Sequence, residues 1–181
     1  WTQQLDTSIH AATSVVSTCI AFRHFFLSKS PEDLKLHFQS QPGADPLKVA
    51  RHNDNIQNGV KSKYFAHAVI RFDKLLIDME RELSSGEPWL AGETFSLADI
   101  GYTPYVRRLE HLQLSSMWHS RPYVADWYSR VQQRGAFRVA ILDWDNERYI
   151  ANMADKGNRE WPLVKTIVTS GKTSEIQNQL V

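Results

Sequence analysis

Residues 60–83 constrain the fold most strongly, because their apolar side chains recur at the spacing of an amphipathic helix. Charged residues lie largely off this stripe, and Lys74 and Asp78 stand four apart, where a helical ion pair can form. Ser84, Ser85 and Gly86 predict the end of the helix. The pattern predicts a long helix with one buried face, formed by Phe65, Val69, Phe72, Leu76, Met79 and Leu83.

The rest of the chain repeats this helical spacing and contains no convincing strand hairpin. A second apolar stripe runs through residues 1–27. Ser30–Pro31 and Asp45–Pro46 are typical helix starts, and they predict two short helices in the connection 28–59. The remaining helices are expected at 96–113, 122–133 and 136–144. We therefore predict an all-α fold of roughly five main helices plus the two short ones.

The chain is expected to form one helical domain with an extension. With 181 residues, of which 42% are hydrophobic, it can bury a core of ordinary size. We place the helical domain at 1–144. The pattern weakens from Asp145 onward, so 145–181 is expected to pack on the domain and to end in a mobile tail.

Composition argues against several classes of function. The 21 Lys and Arg residues balance 20 Asp and Glu, so there is no general reason to expect nucleic acid or an anionic membrane as a partner. No apolar run approaches the length of a transmembrane helix, and there is no signal peptide, so we expect a cytoplasmic protein. The seven His residues lack metal-ligand spacing, so we predict no metal. The single cysteine, Cys19, sits among apolar residues and is expected to be a buried structural thiol.

The stretch TFSLADIGYTP, residues 94–104, combines a strong helix start with a helix breaker. Ser96 suits the N-cap, and Asp99 can close a capping box on it. Phe95 and Ile100 are placed to form a hydrophobic staple, and each such device contributes about 1 kcal/mol. Pro104 lacks the N–H that would bond to the carbonyl of Ile100, which costs roughly 3 kcal/mol in a helix interior. We expect a firmly capped, bent scaffold helix.

Three blocks in order carry a resemblance to a known family. PWLAGETFSLADIGYTPYVRRLEHL is similar to the capped, buried helix of the glutathione transferase C-terminal domain and the loop before it. RPYVADWYSRVQQRGAF resembles the following helix of that domain, and WTQQLDTSIHAA resembles its first helix. The similarity covers most of residues 1–142 and is nearest to bacterial, theta- or beta-like members. It implies a glutathione transferase C-terminal-like helical bundle.

The resemblance implies an activity that needs a second domain. Members of the family activate the thiol of glutathione, a co-substrate bound mainly by an N-terminal thioredoxin-like domain, and the thiolate attacks a small electrophile. They are typically homodimers and serve detoxification. These 181 residues contain no thioredoxin-like domain and begin without Met, so we interpret them as a truncated or processed form that is inactive alone.

The resemblance also suggests site residues. His10 matches a histidine of bacterial members that lies near the glutathione sulfur, although Ala11 stands where those members carry Lys. Asp6 is a candidate for the α-amino group of glutathione, and Thr13 and Ser14 lie one turn beyond His10.

The capped helix and the extension contribute further candidates. Tyr102, Tyr105 and Arg108 are expected to bind substrate from the capped helix, with Tyr105 and Arg108 presented together by the bend. Trp144 and Tyr149, together with Trp161, either cover the pocket or pack outside it.

Two other functions stay open at this level. The same fold can serve as a non-catalytic protein-interaction or assembly module, or it can bind apolar ligands without turnover. His10 favours the enzyme, whereas the lack of a catalytic domain within these residues favours a non-catalytic role.

Overall fold

The computed structural model describes residues 1, 3, 5–39 and 45–179, and all their side chains except those of 6, 7, 39 and 172–179. In this part of the chain there are helices and turns but no strand, and the single β-bridge pairs Trp89 with Gly92. The prediction of an all-α fold is therefore confirmed.

Eight helices, α1 to α8, organise the described residues. The first, α1, covers 5–27 and consists of four continuous segments: a π-helix at Leu5–Ile9, an α-helix at His10–Ser17, a π-helical turn at Thr18–Phe22 and an α-helix at Arg23–Leu27. The others are α2 (Pro31–Gln39), α3 (Pro46–Asn58), α4 (Phe65–Leu83), α5 (Leu97–His111), α6 (Pro122–Gln132), α7 (Gly135–Ala140) and α8 (Glu147–Gln179). Short 3-10 turns follow at Gly59–Lys61, Ser115–Trp118 and Leu142–Trp144.

Helix α4 is the centre of the core, and it packs against α1, α6 and α8. Its buried face contains all six residues of the apolar stripe that predicted it. A buried ion pair joins α4 to the start of α6, since Arg121 Nη2 donates to Asp73 Oδ1 at 2.5 Å. Only 6% and 9% of these two side chains are exposed.

The start of α5 contains the capping box expected at Ser96 and Asp99. Asp99 is fully buried, and its carboxylate accepts hydrogen bonds from four donors, two on Ser96, the N–H of Leu90 and the indole of Trp127. Two of these partners come from outside the helix. The cap therefore also ties α5 to the preceding loop and to α6.

The expected contact between Phe95 and Ile100 is the detail of α5 that differs from the sequence expectation. The ring of Phe95 lies against Trp89, with 5.0 Å between centroids, while Ile100, its expected staple partner, is 53% exposed. Pro104 lies inside the helix on its exposed side. The neighbouring Thr103 hydroxyl donates to the carbonyl of Asp99 at 2.7 Å.

Helix α8 is the longest element, and the sequence did not predict it as a helix. Met153 and Val164 of α8 are buried in the same core as α4. At Gly157 the helix approaches α5 so closely that an added Cβ would lie 1.8 Å from the carbonyl oxygen of Leu112. Residues 180 and 181 of the expected tail lie outside the described part, and the boundary at 144 stays a prediction.

Candidate functional site

The structure brings together two predicted site residues that are 95 positions apart. His10 Nδ1 lies 3.3 Å from the hydroxyl of Tyr105, and the two rings meet edge to face at 89°. His10 is exposed at the start of the α-helical part of α1, and Tyr105 is half-buried on α5. The pair forms an accessible polar spot at the crossing of the two helices. A histidine and a phenol in hydrogen-bond contact can accept, donate or hold a proton.

The other residues predicted on α1 are placed differently. Ser14 is exposed one turn after His10. The hydroxyl of Thr13 donates to the carbonyl of Ile9 at 2.8 Å, so its hydrogen atom is used within the helix. The side chain of Asp6 lies outside the described atoms, and its assignment stays a prediction.

Tyr102 is buried in the core rather than exposed to a substrate. Its hydroxyl donates to the carbonyl of Trp1 at 2.9 Å, and its ring meets the Trp1 indole edge to face. Burial raises the pKa of Tyr102 to about 12, with smaller contributions from Asp78 and Tyr105. These contacts favour a structural role for Tyr102.

Arg108 lines a cavity of about 490 Å³ that Tyr105 does not line. The cavity lies between the second half of α1, the end of α5 and the start of α8. Its walls are mostly aromatic or apolar: Phe22, Phe25, Phe26, Trp144, Tyr149, Ile150 and Met153. We call it the aromatic cavity. Tyr105 and Arg108 are one turn apart on α5, so one residue of the cavity wall lies one helical turn from the Tyr105 member of the pair.

Arg108 is a half-buried cation without an acid partner among the described residues. Its guanidinium lies 5.7 Å from the ring centre of Phe22, and Nη1 approaches Met153 Sδ at 3.1 Å. Burial lowers the pKa of Arg108, and no acid offsets that effect. A desolvated cation in an aromatic cavity favours an aromatic ligand that carries negative charge.

A polar cluster at the edge of the aromatic cavity was not found by sequence reasoning. Asp145 lines the cavity and accepts a hydrogen bond from Arg107 Nη2 at 2.6 Å, and its other oxygen is 3.6 Å from His111 Nε2. Glu110 accepts from Arg107 and from the hydroxyl of Tyr128, both at 2.6 Å. The carboxylate of Asp145 is therefore already paired with the guanidinium of Arg107. The sequence contains one hint of this cluster, a group of neighbouring charged or titratable residues on α5: Arg107, Arg108, Glu110 and His111.

Two of the three aromatic residues expected near the pocket line the aromatic cavity. Tyr149 packs edge to face against Phe22 and Phe25, at 6.4 and 6.2 Å between centroids. Trp144 is 82% exposed at the cavity, and its indole donates to the carbonyl of Val139 at 3.1 Å. Trp161 packs against the core and is not part of this lining.

Neither a metal site nor a membrane span occurs in the described ranges. No group of three or more His, Cys, Asp or Glu side chains is arranged there to hold a metal ion. No helix in those ranges is both long enough and apolar enough to cross a bilayer.

Part of the chain is similar to a known protein family and to several known proteins. Residues 62–130 match the family model described as glutathione S-transferase, C-terminal domain. The chain is 26% identical over 112 residues to a tetrachloro-p-hydroquinone reductive dehalogenase of Sphingobium chlorophenolicum, covering 60% of this chain and 45% of that protein. It is 31% identical over 81 residues to a 2,5-dichlorohydroquinone reductive dechlorinase of Sphingobium indicum, covering 42% and 23%.

A third relative is named differently. The chain is 40% identical over 68 residues to ganglioside-induced differentiation-associated protein 1-like 1 of Mus musculus, covering 36% of this chain and 18% of that protein. The chain thus spans less than half the length of each of these three relatives. No solved structure gives a significant match.

Proposed function

We propose that this chain, whose residues 62–130 match the family model described as glutathione S-transferase, C-terminal domain, forms the electrophile-binding half of an enzyme that transfers glutathione to a small electrophile. Glutathione itself would be held mainly by a thioredoxin-like domain outside these 181 residues. The reaction removes the proton from the glutathione thiol, the sulfur bonds to the electrophilic carbon, and the leaving group departs with its bonding electrons. The working enzyme is proposed to be a homodimer.

The contact between His10 and Tyr105 is the observation that carries this proposal. His10 is exposed and Tyr105 is half-buried, so a second domain docked on this face could place a thiol next to the imidazole. His10 would accept the thiol proton or stabilise the thiolate. The hydroxyl of Tyr105 would hold the orientation of the ring through Nδ1.

The aromatic cavity is proposed as the electrophile pocket. It begins one turn from Tyr105 along α5, which suits a substrate whose reactive carbon must reach a sulfur near His10. Two relatives are named for chlorinated hydroquinones. A chlorinated, partly ionised phenol matches the aromatic walls and the cation of Arg108. For such a substrate the leaving group is chloride.

The decisive experiment is the conjugation rate of the enzyme in which this chain is joined to its thioredoxin-like domain. With dichlorohydroquinone or chlorodinitrobenzene, His10→Ala is expected to lower kcat/KM by at least about a hundredfold, the lower side of what a positioned acid–base group contributes. Tyr105→Phe is expected to have a smaller effect. The matched control is His67→Ala, because His67 is likewise an exposed histidine but belongs to α4, which contributes neither residue of the pair. Equal rates for His10→Ala and His67→Ala would contradict the role of His10.

Arg108 is tested by comparing two electrophiles. Arg108→Gln is expected to raise KM about tenfold for dichlorohydroquinone, since it removes a charge-assisted contact, and to change KM little for neutral chlorodinitrobenzene. Arg148→Gln, an exposed change on α8, is the control. An equal loss for both substrates would argue against charge recognition. Absence of conjugation by the joined protein would favour a binding or assembly module.

A further inference from the structure

A second cavity, of about 530 Å³, lies on the side of α1 away from the lining of the aromatic cavity. It is enclosed by the π-helical turn of α1, the end of α3 with the Gly59–Lys61 turn, and the middle of α8. None of its lining residues belongs to the His10–Tyr105 pair or to the aromatic cavity. Its size is within the range of small-molecule sites. We call it the basic cavity.

Four cations and one acid line the basic cavity. The cations are Arg23, Lys61, Lys156 and Arg159, and the acid is Glu160. Arg159 is neutralised in part, because Nη2 lies 2.8 Å from both carboxylate oxygens of Asp155. In the described part of the chain, no acid forms an ion pair with Lys61 or Lys156. The cavity therefore holds an excess of positive charge.

Arg23 is fixed at the wall of the basic cavity by the loop that follows α3. Its Nε donates to the carbonyl of Ile56 at 2.8 Å, and Nη2 donates to that of Gln57 at 2.6 Å. Gly59 makes room for this arrangement, since it has a positive φ of 55° and an added Cβ would lie 3.0 Å from Arg23 Cδ. Both acceptors are neutral carbonyls, so the charge of Arg23 stays uncompensated there.

The pKa of His24 is affected by the positive charge of the basic cavity. Burial and the charge of Lys156 lower the pKa of His24, and together they outweigh the opposing hydrogen bond to Ala21. Lys156, Arg159 and Glu160 from α8 and Lys61 from the neighbouring turn line the same cavity as this histidine. The cations gathered here from three elements outnumber the nearby acids Glu160 and Asp155, and such an excess of positive charge is expected to attract an anion.

We propose that the basic cavity binds a small molecule that carries a phosphate group. A phosphate dianion supplies two negative charges and several acceptor oxygens, which suits the two ammonium groups of Lys61 and Lys156 beside the fixed Arg23. Ile20 and Val60 line the same cavity and offer an apolar surface to the rest of the molecule. The cavity is larger than an inorganic phosphate needs, which favours an organic phosphate. This site is independent of the transferase chemistry proposed above.

The test is calorimetric titration of the 181-residue chain with inorganic pyrophosphate at fixed ionic strength. Binding to the wild type is expected, and Lys61→Gln and Lys156→Gln should each weaken it by roughly tenfold or more, the effect of losing one hydrogen bond to a charged group. The matched control is Lys165→Gln, an exposed change of the same charge on α8, which should leave affinity unchanged. Circular dichroism checks that each variant is folded.

A second readout is the titration of His24 followed by NMR. Bound pyrophosphate should raise the pKa of His24 in the wild type and in Lys165→Gln, and much less in Lys156→Gln. Vesicles of phosphatidylcholine with and without phosphatidic acid distinguish a lipid headgroup from a soluble phosphate ester, because only a headgroup would sediment the chain in a Lys156-dependent way. Failure of pyrophosphate to bind the wild type, or equal affinities for Lys156→Gln and Lys165→Gln, would overturn the proposal.

Discussion

The indole N–H of Trp127 donates to Asp99 Oδ1 at 2.8 Å in the fully buried interior between α5 and α6. The same carboxylate accepts from Leu90 and twice from Ser96. In Asp99→Asn, the side-chain NH2 group replaces one carboxylate oxygen and would face a hydrogen-bond donor, so that donor would lose its acceptor. We therefore expect the free energy of unfolding to fall by about 2–4 kcal/mol. Urea denaturation measures it. Asp143→Asn, at an exposed ion pair, is the control, and similar losses for the two would contradict this account.

The close approach of Gly157 to the backbone of Leu112 predicts that even a substitution by alanine at this position is strongly destabilising. A Cβ at 1.8 Å from a backbone oxygen cannot be accommodated unless α8 moves away from α5. We expect Gly157→Ala to destabilise the chain by more than about 2 kcal/mol, measured as the shift in the urea midpoint. Gly135→Ala, with no atom within 4 Å of the added Cβ, should change stability little. A midpoint for Gly157→Ala equal to that of Gly135→Ala would disprove the close contact.

The buried pair of Asp73 and Arg121 predicts strong coupling between the two residues. Asp73→Asn leaves the guanidinium without its counter-charge, which is expected to cost about 3 kcal/mol. Replacing both residues, with Arg121→Met as the second change, should cost clearly less than the sum of the single changes. A double-mutant cycle on unfolding free energies measures the coupling. The exposed pair Asp155 and Arg159 is the comparison, with an expected coupling of about 0–1 kcal/mol.

Cys19 is expected to be unreactive in the folded chain. It is 3% exposed, and burial raises its pKa to about 12, with the charge of Arg23 opposing the shift. At about pH 8, roughly one molecule in ten thousand would carry the thiolate. Ellman's reagent should therefore label the native protein far more slowly than the urea-unfolded protein. Rapid labelling under native conditions would show that the thiol is accessible.

Stability is expected to fall as the pH drops below about 6.5. Burial, followed by the charge of Arg107, lowers the pKa of His111, so the folded state resists a proton that the unfolded state binds. His24 and His52 are shifted in the same direction, mainly by burial. The stabilising contribution is thus present above the unfolded pKa and is lost on acidification. His111→Gln should weaken the dependence of the unfolding free energy on pH between about pH 7.5 and 5.5, which urea denaturation at several pH values measures. The control is His119→Gln on the exposed surface, which should leave this dependence unchanged.

Local patterns predicted much of this molecule. The stripe of α4 and the capping box of α5 depend on residues within a few positions of one another, and both are present in the structure. The partners of Asp99 outside its helix, Leu90 and Trp127, depend on tertiary packing and leave no local signal. For the same reason the sequence suggested His10 and Tyr105 separately but did not predict their contact.

Helix α8 could not be predicted from the spacing of its apolar residues. It contains Gly157, Pro162 and Gly171, and the few buried residues that hold it, such as Met153 and Val164, are widely spaced. Its stability comes from contact with α1, α4 and α5 rather than from helix propensity. The π-helical turn of α1 and the two cavities beside it likewise arise only once the helices have packed.

The absence of a side chain at Gly157 has a consequence for the whole length of α8. Met153, one turn before it, lines the aromatic cavity, and Lys156 and Arg159, on either side of it, line the basic cavity. Because the backbone of Leu112 occupies the space at Gly157, α8 cannot slide or rotate there without a clash. The lack of a side chain at Gly157 therefore fixes the position of the α8 residues that line both cavities. A shift of α8 along or about its axis would change the dimensions of the aromatic cavity and of the basic cavity.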